Sequence, residues 1–252
     1  MSMHEGLMLI DKPKGWTSFD VVNYIRRIVA GLEGKKPKNC KVGHTGTLDP
    51  MATGLLLVCV GKYTKKVPEF IKQDKVYEVV MRLGFTSDTG DAEGVITRIE
   101  DRIMKNGDKN EVAISNLQSP ISNPTLSDVE SAVMGFVGEI MQTPPAYSAI
   151  KINGKKAYEL ARAGIEVKIE PRKVTVYTIS DIKYNYPNIS FTTKVSSGTY
   201  IRSLVADIGE KLGIGAYMTD LRRTEIADWN ITDAIEVTKV SAERLQELLI
   251  TL

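Results

Sequence analysis

The stretch from Val42 to Val60 constrains this chain more than any other. Three glycines, one proline and three threonines crowd the twelve residues from Gly43 to Gly54. Glycine admits positive φ and proline fixes its own, so this composition predicts a shaped loop rather than a regular element. Six apolar residues, Leu55 to Val60, follow without a break and are closed by Gly61. That run has the length of a strand buried on both faces. A loop anchored to such a strand can hold reactive groups rigidly.

The loop carries one imidazole, His44, and one carboxylate, Asp49. Pro50 disfavours the α conformation at Asp49, which predicts extended or turn backbone there. A phosphate cradle is one chemistry for such a loop. The pattern G-x-x-x-x-G-K-[ST] is absent, however, and Gly61-Lys62-Tyr63-Thr64 lacks both the earlier glycine and the adjacent hydroxyl. A carboxylate acting as nucleophile or electrostatic stabiliser beside an anomeric carbon is another. A plain turn, with the aspartate bonding its own backbone, accounts for the same residues.

Around this stretch the chain reads as alternating short elements. Leu7 to Ile10 form an apolar strand that ends in a turn through Lys12, Pro13, Lys14 and Gly15. Thr17 and Asp20 have capping-box spacing, and Phe19, Val22, Ile25 and Val29 predict a helix over about 18–30. An exposed basic loop follows to Lys41, and after Gly61 a short helix buries Val67, Phe70 and Ile71. Tyr77, Val79, Met81 and Leu83 alternate onto one strand face, where a tyrosine is by position a core residue. Ser127 and Glu130 have the spacing of a capping box that opens a helix on Val129, Val133 and Phe136. A turn at Asn153-Gly154 leads to a helix ended by Gly164, with Lys151, Lys155, Lys156 and Arg162 among Tyr147 and Tyr158. Strands are expected at Val167/Ile169, Val174/Val176 and Ile189 to Val195. Ile201, Leu204, Val205, Ile208 and Leu212 form a helical stripe, with Tyr200 and Arg202 off it. A last amphipathic helix begins at Ser241 and carries Leu245, Leu248, Leu249 and Leu252.

Composition bounds the function classes. A net charge of +2 over 252 residues does not advertise nucleic acid, so local clusters must carry any such argument. Cys40 and Cys59 are too few for a disulfide framework or a four-ligand zinc site, and His4 and His44 are far apart, so no metal is expected. No apolar run approaches the ~20 residues of a transmembrane helix, and no leader pattern opens the chain. A cytoplasmic location is the default expectation.

The run Gly43-His44-Thr45-Gly46-Thr47-Leu48-Asp49-Pro50, followed by Ala52-Thr53-Gly54-Leu55-Leu56, resembles the signature of the TruB family of pseudouridine synthases. Segments at Asp11 to Ser18, Thr86 to Gly94, Thr143 to Arg162, Ser196 to Gly209 and Leu221-Arg222-Arg223-Thr224 extend the resemblance over nearly the whole chain. It implies an α+β pseudouridine synthase fold, a large, mostly antiparallel mixed sheet flanked by helices and loops. It implies an isomerase that converts uridine to pseudouridine at position 55 in the T loop of tRNA, without a cofactor. Asp49 is then the catalytic residue, and His44 helps to disrupt the RNA loop and accommodate the extruded base. Tyr77 stacks on that base, with handling of a proton as a second role, Arg202 pairs with Asp49, Tyr200 neighbours Arg202 in the pocket that binds the substrate, and Leu221 lies against the base.

Lys12, Lys14, Lys65, Lys151, Lys155, Lys156, Arg162, Arg222 and Arg223 are candidate contacts to the RNA backbone. Solvent is the alternative for each, and bracing of the active loop a further one for Lys12 and Lys14. The expected organisation is one catalytic domain over 1–252, with a thumb-like RNA-binding segment at about 124–164, an insertion at about 100–124 and no complete C-terminal PUA domain. It is expected to act as a monomer on the T arm of tRNA, away from membranes. A catalytically silent tRNA-binding or folding module of the same fold would not need Asp49, Tyr77 and Arg202 together. A glycoside hydrolase would want two carboxylates across one bond, and one convincing acid is present.

Overall fold

The computed structural model describes residues 4–99, 123–148, 150–152, 154–165 and 169–251. The fold is α+β, a large mixed sheet with flanking helices. In chain order the first elements are β1 (Gly6–Lys12), α1 (Ser18–Leu32), β2 (Val42–His44), β3 (Thr53–Val60), α2 (Val67–Ile71) and β4 (Lys75–Leu83). Next come β5 (Phe85–Ser87), β6 (Ile96–Arg98), α3 (Leu126–Met134), β7 (Gly138–Gln142), β8 (Lys151–Ile152), β9 (Lys155–Lys156) and α4 (Ala157–Arg162). The chain closes with β10 (Arg172–Asn185), β11 (Asn188–Val195), α5 (Ile201–Lys211), β12 (Ala216–Ile226), β13 (Trp229–Asn230), β14 (Ile235–Glu236) and α6 (Leu245–Leu248). Two compact units result: Met1–Glu78 with Leu221–Leu252, and Val79–Asp220.

The first unit is built on β3. β1 runs antiparallel to it, from Gly6 opposite Val60 to Lys12 opposite Gly54, and β14 adds to β1 in parallel. On the other edge of β3, β2 covers Val58 to Val60 antiparallel, while β12 covers Thr53 and Gly54 in parallel. Both faces are dry, as the unbroken apolar run requires. Met8, Ile10, Leu56, Val58 and Val60 pack with Val21, Val22, Ile25 and Val29 of α1. Leu7, Leu9, Leu55, Leu57 and Cys59 pack on the opposite side with Tyr63 and Ile226. Burial there pushes the Cys59 thiol up to about 12.

Details of this unit differ from the periodic reading. Phe19 is exposed, because Ser18, Val21 and Val22 already fill the inward arc of α1; its ring instead lies under Arg26, 5.6 Å from centroid to guanidinium. Ile71 is exposed and Tyr63 takes its expected place inside. The C-terminal helix begins at Leu245 rather than Ser241, with Leu245 fully buried, whereas Leu252 lies outside the described residues.

In the second unit, β10 pairs antiparallel with β11 through a hairpin at Tyr186-Pro187, and with β7 on its other side. Val174, Val176, Ile189 and Phe191 are buried along these strands, as are Val129 and Val133 of α3. The cap of α3 is Thr125, not Ser127. Thr125 is extended after Pro124, and its hydroxyl accepts from the Asp128 amide at 3.2 Å while Asp128 reaches back to the Thr125 amide at 2.8 Å. Residues 100–122 of the expected insertion, Val167 of an expected strand and Asn153 of the expected turn lie outside the described residues; Ile169 is not in a strand. Among the described residues no helix is long and apolar enough to cross a membrane.

Candidate active site

The loop between β2 and β3 is held at almost every turn. Ser18, the first residue of α1, accepts from the Leu48 amide at 2.8 Å and donates to the Leu48 carbonyl at 3.1 Å. On the other side of Asp49, the Pro50 carbonyl accepts from the Gly15 amide at 2.8 Å and from Lys12 Nζ at 3.3 Å. The Ala52 amide closes a turn onto the Asp49 carbonyl at 3.1 Å. Leu48 and Met51 are buried as anchors, and Asp49 itself is half-buried between them. A carboxylate with both neighbouring peptide units fixed is presented with little freedom, which is what a reacting group needs.

The edge of β3 explains Arg223. Between the segments covered by β12 and β2, the carbonyls of Leu55 and Leu57 face no strand partner. The Thr45 amide donates to Leu57 at 3.1 Å, and Arg223 Nε donates to Leu55 at 2.7 Å. Arg223 Nη2 also donates to the Gly46 carbonyl at 3.1 Å, and the side chain is only 1% exposed. A buried backbone carbonyl requires such a donor. Arg223 is therefore no surface cation, and the expectation of an RNA contact there is corrected.

Two further basic groups adjoin this loop. His44 Nδ1 accepts from the Gly46 amide at 3.3 Å, which leaves the proton of the neutral ring on Nε2. Burial, followed by the Arg223 charge, holds His44 below the ordinary imidazole value. Lys75 is buried at the start of β4 and donates to the carbonyls of Ile71, at 2.9 Å, and Gln73. Burial, followed by the Arg223 charge, brings its ammonium down to about 8.

The remaining expected residues of this unit divide clearly. Tyr77 and Leu221 are buried on β4 and β12, and the Tyr77 hydroxyl makes no hydrogen bond among the described residues. Lys12 is fully buried and spends its ammonium on the carbonyls of Pro13, Trp16 and Pro50. It braces the loop, and the RNA-backbone expectation for it is corrected. Arg222 is engaged by Asp11 through both guanidinium nitrogens, at 3.2 and 2.8 Å. Lys14 and Lys65 are exposed.

In the second unit, Tyr200 caps α5 from an extended conformation. The buried Gln142 side chain clamps it, accepting from the Tyr200 amide at 2.7 Å and donating to its carbonyl at 3.0 Å. The Arg172 guanidinium lies over the Tyr200 ring at 5.0 Å. Arg202 is 7% exposed, against the expectation that its place off the stripe leaves it outside the core. It donates to the carbonyls of Thr89 and Tyr147, each at 2.9 Å, and faces Asp91 at 3.5 Å. Asp91 in turn accepts from the Thr89 hydroxyl at 2.6 Å and the Glu93 amide at 3.0 Å. Lys155 and Arg162 are exposed, with Arg162 over the Tyr158 ring; Lys151 and Lys156 lie opposite each other on β8 and β9.

Ser18, Asp91 and Gln142 were not singled out from sequence. Gln142, a polar residue at an inward strand position, carried a usable signal; Ser18 and Asp91 did not, since serine after a cap and aspartate in a polar turn are ordinary. Among the described residues, no three of His, Cys, Asp and Glu gather at metal-binding geometry.

Comparison with known proteins identifies the family. The model of the TruB family pseudouridylate synthase (N terminal domain) matches residues 34–201, and that of the tRNA pseudouridylate synthase B C-terminal domain matches residues 202–249. The chain is 39% identical over 246 residues to tRNA pseudouridine synthase B of Clostridium kluyveri, covering 98% of this chain and 75% of that protein. It is 42% identical over 248 residues to the protein of that name from Clostridium perfringens, again covering 98% and 75%. Among solved structures, a Cbf5-Nop10-Gar1 complex matches at 28% identity and a TM-score of 0.61, over 90% of this chain and 50% of the other. An H/ACA RNP bound to a substrate RNA containing 2'-deoxyuridine matches at 25% identity and a TM-score of 0.57, over 96% and 52%. With two thirds of its length in the first of these family models and its loop built as described, the chain belongs to the TruB family of pseudouridine synthases.

Proposed function

We propose that the protein is a tRNA pseudouridine synthase acting on uridine 55 of the T loop, with Asp49 as the group that engages the ribose. The observation that carries this reading is the loop itself. Asp49 stands between a Leu48 peptide pinned by Ser18 and a Pro50 carbonyl pinned by Gly15 and Lys12. The target base must first leave its stack, since its buried atoms are unreachable within it. Asp49 assists cleavage of the bond between N1 and the anomeric carbon, and the uracil turns within the pocket. C5 then bonds to the anomeric carbon and gives up its proton, while N1 ends protonated. Tyr77 and Leu221 supply apolar walls for the base, and His44 meets it as a neutral donor. Support for the proton-poor imidazole comes from its burial.

Release of tritium from C5-labelled uridine in tRNA tests the reading. Asp49→Asn is expected to abolish release while tRNA binding stays within about tenfold, roughly 1.4 kcal/mol. Turnover by purified, folded Asp49→Asn near the parent rate would sink the assignment.

A further inference from the structure

We propose that Arg223 is the positioning residue of the active loop, fastening both ends of the segment that carries Asp49. The inference rests on the reading of Asp49 given above. Three contacts converge on this one residue. Nη2 holds the Gly46 carbonyl, where the chain enters the segment, at 3.1 Å, and Nε holds the Leu55 carbonyl, where it returns to the sheet, at 2.7 Å. The third is made by the Arg223 backbone. It lies in register with Gly54, so close that a Cβ on Gly54 would stand 2.2 Å from the Arg223 carbonyl oxygen. Gly54 has φ +104°, so a side chain is excluded there by conformation as well as by space.

A planar fork with several fixed donors can serve two carbonyls at once; a lysine ammonium, one point on a flexible stem, cannot hold both in the same geometry. The guanidinium also acts electrostatically on the loop. His44 is faced by Arg223 and shares its loop with Asp49, while Lys75 from β4 approaches the same glycine: a Cβ on Gly46 would meet Arg223 Nη1 at 3.6 Å and Lys75 Cε at 3.9 Å. A charge in that place disfavours a second cation on the imidazole.

Two variants separate positioning from plain support and from RNA contact. Arg223→Lys keeps the charge and loses the fork. Its single-turnover rate at saturating tRNA is expected to fall about 100-fold, the scale of a misplaced reacting group, with tRNA affinity within about threefold. The His44 titration, followed by NMR of the imidazole, should stay where it is in the parent. Arg223→Met loses the charge as well, and should move that titration upward in addition to slowing the reaction. A folded Arg223→Lys protein with a rate within about threefold of the parent would overturn the inference, as would a loss of affinity that accounts for the whole loss of rate. Should Arg223→Lys not fold, an unmoved His44 titration together with parental rate in Arg223→Met would overturn it equally. Measured alongside, an active Asp49→Asn would instead discard the underlying reading.

Discussion

On α5, the carboxyl of Asp207 is half-buried, and burial, ahead of the neighbouring Glu210 charge, pushes its pKa up to about 6 from an ordinary 3.8. The folded protein therefore binds a proton in a range where the unfolded chain has released it, and stability falls as pH rises through that range. Asp207→Asn removes the cost of a charge at neutral and higher pH. It should raise stability at pH 8 by about 1 kcal/mol, after discounting for partial exposure, and give no gain near pH 4. Thermal melts at the two pH values check this; an equal gain at both would assign the effect to packing. Side chains such as this one show where sequence reading stops. The fixed turn around Asp49 was legible because Pro50 and the flanking glycines limit its backbone. Arg223 was not, and bracing by Lys12 was one reading among three, because their roles depend on which carbonyls are left without partners. That is decided by where β2 and β12 end on β3, and by how the turn at Trp16 folds back. From sequence alone, a basic residue with no visible partner reads as solvated.

The elements were more legible than the side chains, since their periods are written in the apolar positions. β1, β3, β4, β11 and α5 stand where alternation or helical spacing places them, while β10, expected at Val174 and Val176, runs on to Asn185. The cap of α1 was read correctly from Thr17 and Asp20, and that of α3 two residues late. Ser127 and Glu130 satisfy the same spacing as Thr125 and Asp128, and only the extended backbone after Pro124 decides between them. The α1 cap bears on function. Thr17 accepts from the Asp20 amide at 3.0 Å, and the very next residue is the Ser18 that grips Leu48. Thr17→Ala should cost about 1 kcal/mol of stability in urea melts and lower turnover as well, because a frayed first turn releases Leu48. Unchanged turnover with the stability loss intact would show that Ser18 holds its place without the cap.

At the scale of the whole molecule, a net charge of +2 supplies no general attraction for RNA, so binding must come from local cations. Lys14 and Lys65 in one unit and Lys155 and Arg162 in the other are exposed and suited to that task. If they grip the T arm, an isolated T-arm hairpin should react with kcat/KM within ~30-fold of whole tRNA, about 2 kcal/mol. A deficit of about a thousandfold or more, with the hairpin shown to be folded, would place essential contacts elsewhere on the tRNA. The first unit also has a history imposed by its chain order. It is assembled from both flanks of the second, and the guanidinium that holds Gly46 lies 177 residues further along the chain. On a ribosome, the signature loop emerges 177 residues ahead of the arginine that answers its Gly46 carbonyl. A nascent chain therefore carries the complete motif long before it carries the guanidinium that fastens it.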